Sequence, residues 1–374
     1  MEFEEFRNGL ETWLDAHGAD LAPAFIGHGT LDEQMVQLNK VKQLLWDADW
    51  GRWGWPEEVG GLGGSTLLRA YVGEALTARD LVEAGLFSMN ETLVPTMIAY
   101  APPALAAEYG PRQLSGAETW CQGFSEPSTG SNLASLSCRA TPVEGGYRVS
   151  GQKVWTSLAQ YSQRCVLLTR TGSVESAHKG ITALFVDMGS AGITVRPIET
   201  MHGHPEFCEV FFDDVLVPAD RLLGEENGGW SVAMDLLPFE RSTALWHRGA
   251  LMHRRLTQLL RSGADIDARD LGSIAQQLWA FRARSRATQH RMAREETLSS
   301  ETSIDKVLLA STEQALFDLV ADTLGEAVLV GDAPLDEQWR SEFLYSRAAT
   351  IYGGSAEIQR NIIARRLLGL GNDR

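Results

Sequence analysis

Several short constellations in the 374-residue sequence carry residue types able to do chemistry. Ser128-Thr-Gly-Ser131 is a polar turn in which Gly130 and Ser131 would let backbone amides come close to a phosphate; the same residues also make an ordinary surface turn. His202-Gly-His204 followed by Cys208 offers metal-ligand types. The segment runs into a strand-like stretch and shows no fourth ligand, so no metal is assigned. Gly60-Gly-Leu-Gly-Gly64 lacks the Lys-Ser/Thr and the strand–helix context of a phosphate-binding loop. Cys121 has no basic neighbour in sequence to make it a nucleophile. Glu240-Arg241, taken alone, reads as a solvated ion pair, and Trp155 as a core aromatic.

The elements that must position these residues change character twice. Met35, Val36, Leu38, Val41, Leu44 and Leu45 recur near helical spacing. Residues 67–86 and 93–109 are expected to be helices, with Gly110-Pro111 as the stop. Cys165–Leu168, Ile181–Val186 and Glu209–Phe212 are short β-branched or aromatic runs, which predict a small sheet or barrel. From Trp230 the helical period returns, and a last helix is expected from near Ser355. Net charge is −16, of which −11 lies in residues 1–120. Such an acidic chain disfavours nucleic acid and anionic membranes as partners. No run of about 18 apolar residues could span a bilayer. The four scattered cysteines form no disulfide framework, and a cytoplasmic location is expected. The arginines crowding residues 241–294 are read as solvated helix faces.

Four stretches resemble the acyl-CoA dehydrogenase family, in the family's order. They are Trp120-Cys-Gln-Gly-Phe-Ser-Glu-Pro-Ser-Thr-Gly-Ser-Asn132, Val149-Ser-Gly-Gln-Lys-Val-Trp-Thr-Ser157, Glu206 through Pro218, and Thr350-Ile-Tyr-Gly-Gly-Ser-Ala-Glu357 with its continuation to Ile363. The segment from Trp339 to Gly354 is similar to the actinobacterial branch. The resemblance implies an α+β multidomain fold: a helical N-terminal domain (1–119), a middle β-barrel or sheet domain (120–223) and a C-terminal four-helix bundle (224–374). It implies FAD, an acyl-CoA thioester substrate, an electron-transfer flavoprotein as oxidant, and a homo- or hetero-oligomer built as a dimer of dimers. The alternatives are a non-catalytic partner subunit and a related flavin oxidase.

Site residues carry over position by position. Phe124, Ser125, Gly130, Ser131, Trp155, Thr156 and Ser157 match flavin contacts, and Ser355 and Glu357 match positions near the ribityl and adenosine portions. Arg241, Tyr352 and Gly353 match the substrate side. In many relatives the catalytic base follows the Tyr of the Ile-Tyr motif; here that position is Gly353, which has no side chain. Other branches carry the base on an earlier Glu-Arg pair, which makes Glu240 the expected base. Two departures concern the half-site that relatives donate to a neighbour. Asp270–Gln277 lacks the expected Arg and Phe-Gly, with Arg269 just outside, and Thr323-Leu-Gly-Glu-Ala327 replaces Gln-x-x-Gly-Gly. Two readings stay open: a second acyl-CoA dehydrogenase subunit supplies the missing Arg, or the sequence has drifted and Arg269 or another arginine substitutes.

Overall fold

The computed structural model describes residues 1–371. Six helices lead: α1 (Phe3–Ala16), α2 (Gly18–Leu21), α3 (Leu31–Asp47), α4 (Thr66–Ala78), α5 (Ala84–Tyr100) and α6 (Pro103–Ser115). Helix α3 starts on a capping box: the Thr30 hydroxyl accepts from Glu33 N, and Thr30 N donates back to the Glu33 carboxylate at 2.8 Å. The expected helix 67–86 is interrupted. Asp80 takes a left-handed φ of 55°, and its carboxylate accepts from Arg254 and Arg255 far along the chain. The expected helix 93–109 is likewise two helices, because Pro103 opens a new one. Gly110-Pro111 does not stop α6, which runs on to Gly116 at φ 82°. Gly110 instead lets Val59 approach, since a Cβ there would lie 2.7 Å from Val59 Cγ1.

The middle of the chain is a sheet, not a closed barrel. Its strands are β1 (Trp120–Gly123), β2 (Arg139–Val143), β3 (Gly146–Ser157), β4 (Arg164–Arg170), β5 (Ile181–Asp187), β6 (Ile193–Ile198), β7 (Phe207–Pro218) and β8 (Leu222–Leu223). The order is β6-β7-β3-β2-β4-β5-β8, with β1 parallel to β4, so the described strands leave β6 and β8 as ends. Long antiparallel pairing of β3 with β7 slips in register between Lys153 and Thr156. That irregularity re-aims the side chains beside it.

Seven helices follow: α7 (Gly229–Glu240), α8 (Thr243–Arg261), α9 (Ala268–Ala293), α10 (Thr302–Leu324), α11 (Glu326–Val330), α12 (Pro334–Ser346) and α13 (Ala356–Ile362). Leu245, Met252, Leu278, Phe281, Leu316, Phe317 and Trp339 knit α8, α9, α10 and α12 into one apolar core. A second core joins α5, α6, β1, β4, β5 and α7, so the sheet is clasped between the two helical parts. Among the described residues no helix is long and apolar enough to cross a membrane.

The helical parts also meet directly. His247 of α8 is fully buried, with one ring nitrogen 2.9 Å from Ser88 Oγ and the other 3.2 Å from the Ala70 carbonyl. It stands over Gly73 of α4, where a Cβ would come within 2.1 Å of its ring. Gly73→Ala should therefore overpack this contact and destabilise the fold by about 1–3 kcal/mol, read as a lowered denaturant midpoint with an unchanged slope.

Candidate active site

Glu240 is the last residue of α7, and the chain turns at Arg241 and Ser242 into α8. Its carboxylate faces Gly353. An ideal Cβ on Gly353 would lie 2.9 Å from Glu240 Oε1 and 3.3 Å from Lys306 Cε. Gly353 also has φ 61°, which favours glycine on backbone grounds. Three side chains clamp the loop that carries it. Arg241 Nε donates to the Gly353 carbonyl at 3.1 Å, Gln359 Nε2 donates to the same oxygen at 3.1 Å, and Lys306 Nζ donates to the Ala349 carbonyl at 2.6 Å. Lys306 also sits 3.8 Å from the Tyr352 ring centroid. Burial pulls the Lys306 ammonium down to about 8, opposed by nearby Glu313 and Glu240. Burial likewise lowers the Arg241 guanidinium, opposed by Glu240.

The residues matched to the flavin gather at the end of β3. Trp155 sits at the register slip with a left-handed φ of 60° and leaves its indole 59% exposed, edge-on to Phe207. A large, exposed aromatic held in a strained conformation is a mark of a ligand face. Next to it the Thr156 hydroxyl is buried without a partner. Ser125 lies alongside, because Val154 N donates to its carbonyl at 3.0 Å. Phe124 is held by its own carbonyl, which accepts from the fully buried Lys153 at 3.1 Å. Lys153 pairs with Glu126 at 2.8 Å, and Glu126 also accepts from the amides of Ser137 and Cys138. Its burial would raise the carboxyl, but Lys153 and the two amides hold it below its ordinary value.

Beyond Glu126, the reciprocal amide–carbonyl bonds of Glu126 and Thr129 make a tight turn. Gly130 and Ser131 follow it at the surface, with open space beside Gly130. Ser157 pairs with Phe207 at the strand end. Ser355 caps α13 by accepting from Ile358 N, and Glu357 is an exposed first-turn acid beside Arg360. The exposed indole, the orphaned Thr156 hydroxyl and the open turn at Gly130 fit a flat aromatic cofactor with a phosphate tail.

Two groups of residues were not legible as site residues. Arg248 and Arg255, read from the sequence as solvated, are buried. Arg248 pairs with Glu313 at 2.5 Å and Glu83 at 3.3 Å, and Arg255 with Glu342 and Asp80, each at 2.6 Å. His202 and His204 do not join Cys208, whose thiol donates to Gln160 Oε1 at 2.8 Å. They line a cavity with His28, Glu206 and Tyr345. This cavity adjoins both halves of the site. Leu158, next after Ser157, donates its amide to the Glu206 carbonyl at 2.7 Å, while the Tyr345 ring is 5.9 Å from that of Tyr352.

Comparison with known proteins gives the family. The acyl-CoA dehydrogenase N-terminal, middle and C-terminal domains match residues 2–117, 121–215 and 227–368. The acyl-CoA dehydrogenase IpdE1 of Mycobacterium tuberculosis is 37% identical, covering 99% of this chain and 98% of that protein. This chain belongs to the acyl-CoA dehydrogenase family. It is an FAD oxidoreductase. Acyl-CoA dehydrogenase IpdE1 of Mycolicibacterium smegmatis is 35% identical over the same 99% of the chain and 98% of its own length. Among solved structures, the ChsE4-ChsE5 complex of M. tuberculosis superposes with TM-score 0.82 at 25% identity over 100% of both chains. The Tcur3481-Tcur3483 steroid acyl-CoA dehydrogenase gives 0.83 at 25% identity, covering 99% of this chain and 97% of that one.

Two outcomes follow from this geometry. Lys153→Met leaves Glu126 buried without its cation, so it should cost about 3–5 kcal/mol in chemical unfolding and loosen FAD retention. Burial raises Glu206 to about 8, from an ordinary 4.5. The folded state therefore keeps a proton that the unfolded chain loses, and this contribution to stability fades as pH rises from about 4.5 through 8. His28 and His202 act in the opposite direction below about 6.5, and Lys42 and Lys306, lowered to about 7 and 8, do so above it, so only the difference from Glu206→Gln isolates this group in the window pH 6.5–8. The stability advantage of wild type over Glu206→Gln, followed by melting temperature, should shrink as pH climbs through that window.

Proposed function

We propose that this chain is a catalytic subunit that desaturates an acyl-CoA thioester between its α and β carbons, with Glu240 as the base. The observation that carries the reading is the Glu240 carboxylate filling the space beside Gly353, where relatives of another branch place their base. FAD, when bound, supplies the acceptor for the β hydride. The chain's own residues do the rest. Glu240 takes the α proton, and Arg241 and Gln359 hold the Gly353 carbonyl so that the loop cannot drift from that carboxylate. Lys306 fixes the same loop through Ala349 and Tyr352. Trp155, Thr156 and Ser157, with Phe124 and Ser125, form the wall for the isoalloxazine; Gly130 and Ser131 meet the pyrophosphate, and Ser355 and Glu357 the remainder of FAD. An electron-transfer flavoprotein would reoxidise the enzyme.

The assembly we propose is heteromeric. Asp270–Gln277, in the first turns of α9, presents no basic residue, and Gly325 begins a segment without the usual adenosine-contacting glycines. Two similar solved structures are two-component assemblies by name, which supports a partner supplying the missing arginine. The relatives lean the substrate toward a bulky, steroid-derived thioester, and a cytoplasmic site of action fits the acidic chain. Glu240→Gln should keep the protein yellow yet slow anaerobic bleaching by a suitable acyl-CoA about 10²–10⁴-fold, as expected for loss of a general base. Expression alone should give incomplete flavin loading, and co-expression with the partner one FAD per pair of chains; a homotetramer with one FAD per chain would contradict the heteromeric reading.

A further inference from the structure

Most residues lining the cavity that adjoins the Glu206 segment and Tyr345 carry polar or charged groups, set among a larger share of carbon surface. The cavity leaves about 80 Å³ of room for the centres of water-sized molecules and opens to solvent. A plain hydrocarbon tail placed there would strip water from those groups without replacing its hydrogen bonds, which is costly for each group left unpaired. We infer that the acyl group accepted here carries a neutral oxygen function, a hydroxyl or a ketone, on its portion remote from the thioester. The inference rests on the reading of Glu240 and its loop as the reacting end of the site.

His202 is the group that calls for an oxygen function. Both of its ring nitrogens are buried and neither has a hydrogen-bond partner. Its ring stands edge-on to Tyr345 at 5.3 Å and tilted against His204 at 5.6 Å, so packing holds it while its polar atoms stay free. His204 uses one nitrogen on the Gly29 carbonyl at 3.0 Å and stacks on His28 at 4.4 Å. Burial keeps His28 and His202 neutral at ordinary pH, with values near 3 and 4, and each neutral imidazole has one donor and one acceptor nitrogen. Burial also leaves Glu206 protonated at neutral pH, so it presents an O–H donor. Together these groups can donate to a carbonyl and both donate to and accept from a hydroxyl.

The charges around the cavity favour a neutral group. Arg248 and Arg255 are the cations in the lining, and each is already matched by two carboxylates. Of those, Glu83, Asp80 and Glu342 face the same cavity. A second carboxylate on the substrate would therefore meet acidic groups and no free cation. A site built to hydrogen-bond a substrate oxygen discriminates strongly against the analogue lacking it.

The test uses acyl-CoA thioesters of six to twelve carbons in matched sets: unsubstituted, terminal hydroxyl, penultimate ketone and terminal carboxylate. Binding is measured calorimetrically on flavin-loaded Glu240→Gln protein, and bleaching separately on wild type. At one or more chain lengths the hydroxyl or ketone member should bind at least about tenfold tighter than its hydrocarbon parent, with the carboxylate weakest. His202→Leu should narrow that ratio, or Glu206→Leu where the first variant is unstable. Equal or tighter binding of the hydrocarbon at every length, or a preference for the carboxylate, overturns the inference. Bleaching by hydrocarbon thioesters with no oxygen preference sinks the cavity reading and leaves the dehydrogenase reading standing. Preference in binding with no bleaching of wild type by any member does the reverse, and no binding of any member overturns both.

Discussion

The close approach of Glu240 to Gly353 is the contact around which the C-terminal part of the chain is organised. A side chain on Gly353 would meet the end of the Glu240 side chain, so one of the two would have to turn away. Holding the two segments together takes groups from two helices and from the turn after α7. Arg241, following α7, and Gln359 of α13 grip the Gly353 carbonyl, and Lys306 of α10 grips Ala349. Behind them, Arg248 of α8 closes on Glu313 of α10 and on Glu83 before α5. Buried ion pairs of this kind contribute little net stability, but breaking one leaves an uncompensated charge, so they enforce geometry. The second half of the site depends on another such pair, Lys153 with Glu126, which fixes Phe124 and the turn beyond it.

Much of this was legible in the sequence, because the motifs are local. The Ser128–Ser131 turn, the Trp155-Thr-Ser157 strand end and the Tyr352-Gly353-Gly354 loop each occupy a few contiguous residues, and the helix–sheet–helix order follows from hydrophobic period. Gly353 was informative for what it lacks. What stayed hidden depends on tertiary partners. Arg248 and Arg255 look like surface charges in a mixed-charge helix, and only the carboxylates brought from Glu83, Glu313, Asp80 and Glu342 make their burial tolerable. The break at Asp80 has the same origin: the helical period continues through it, and two arginines of α8 hold its left-handed turn. Pro111 failed as a stop because the true end of α6 is Gly116.

The histidines illustrate the limit of spacing arguments. His202-Gly-His204 raises a metal question only if Cys208 turns the same way. Strand alternation sends Cys208 into the sheet core, while His202 and His204 turn toward His28 on the loop before α3. A cavity with neutral imidazoles and paired arginines is a different object from a ligand cluster, and its lining is drawn from residues more than 300 positions apart. No window of sequence contains it.

The central claim is that Glu240 removes the α proton, and the most direct measurement follows that proton without requiring turnover. A thioester blocked at its β position, incubated in heavy water with flavin-loaded protein, reports α-hydrogen exchange by proton magnetic resonance. Wild type should wash the α hydrogen out, and Glu240→Gln should leave it in place while binding the thioester as before. Exchange at the wild-type rate in Glu240→Gln would mean that another group is the base and that the closeness of Glu240 to Gly353 serves packing alone.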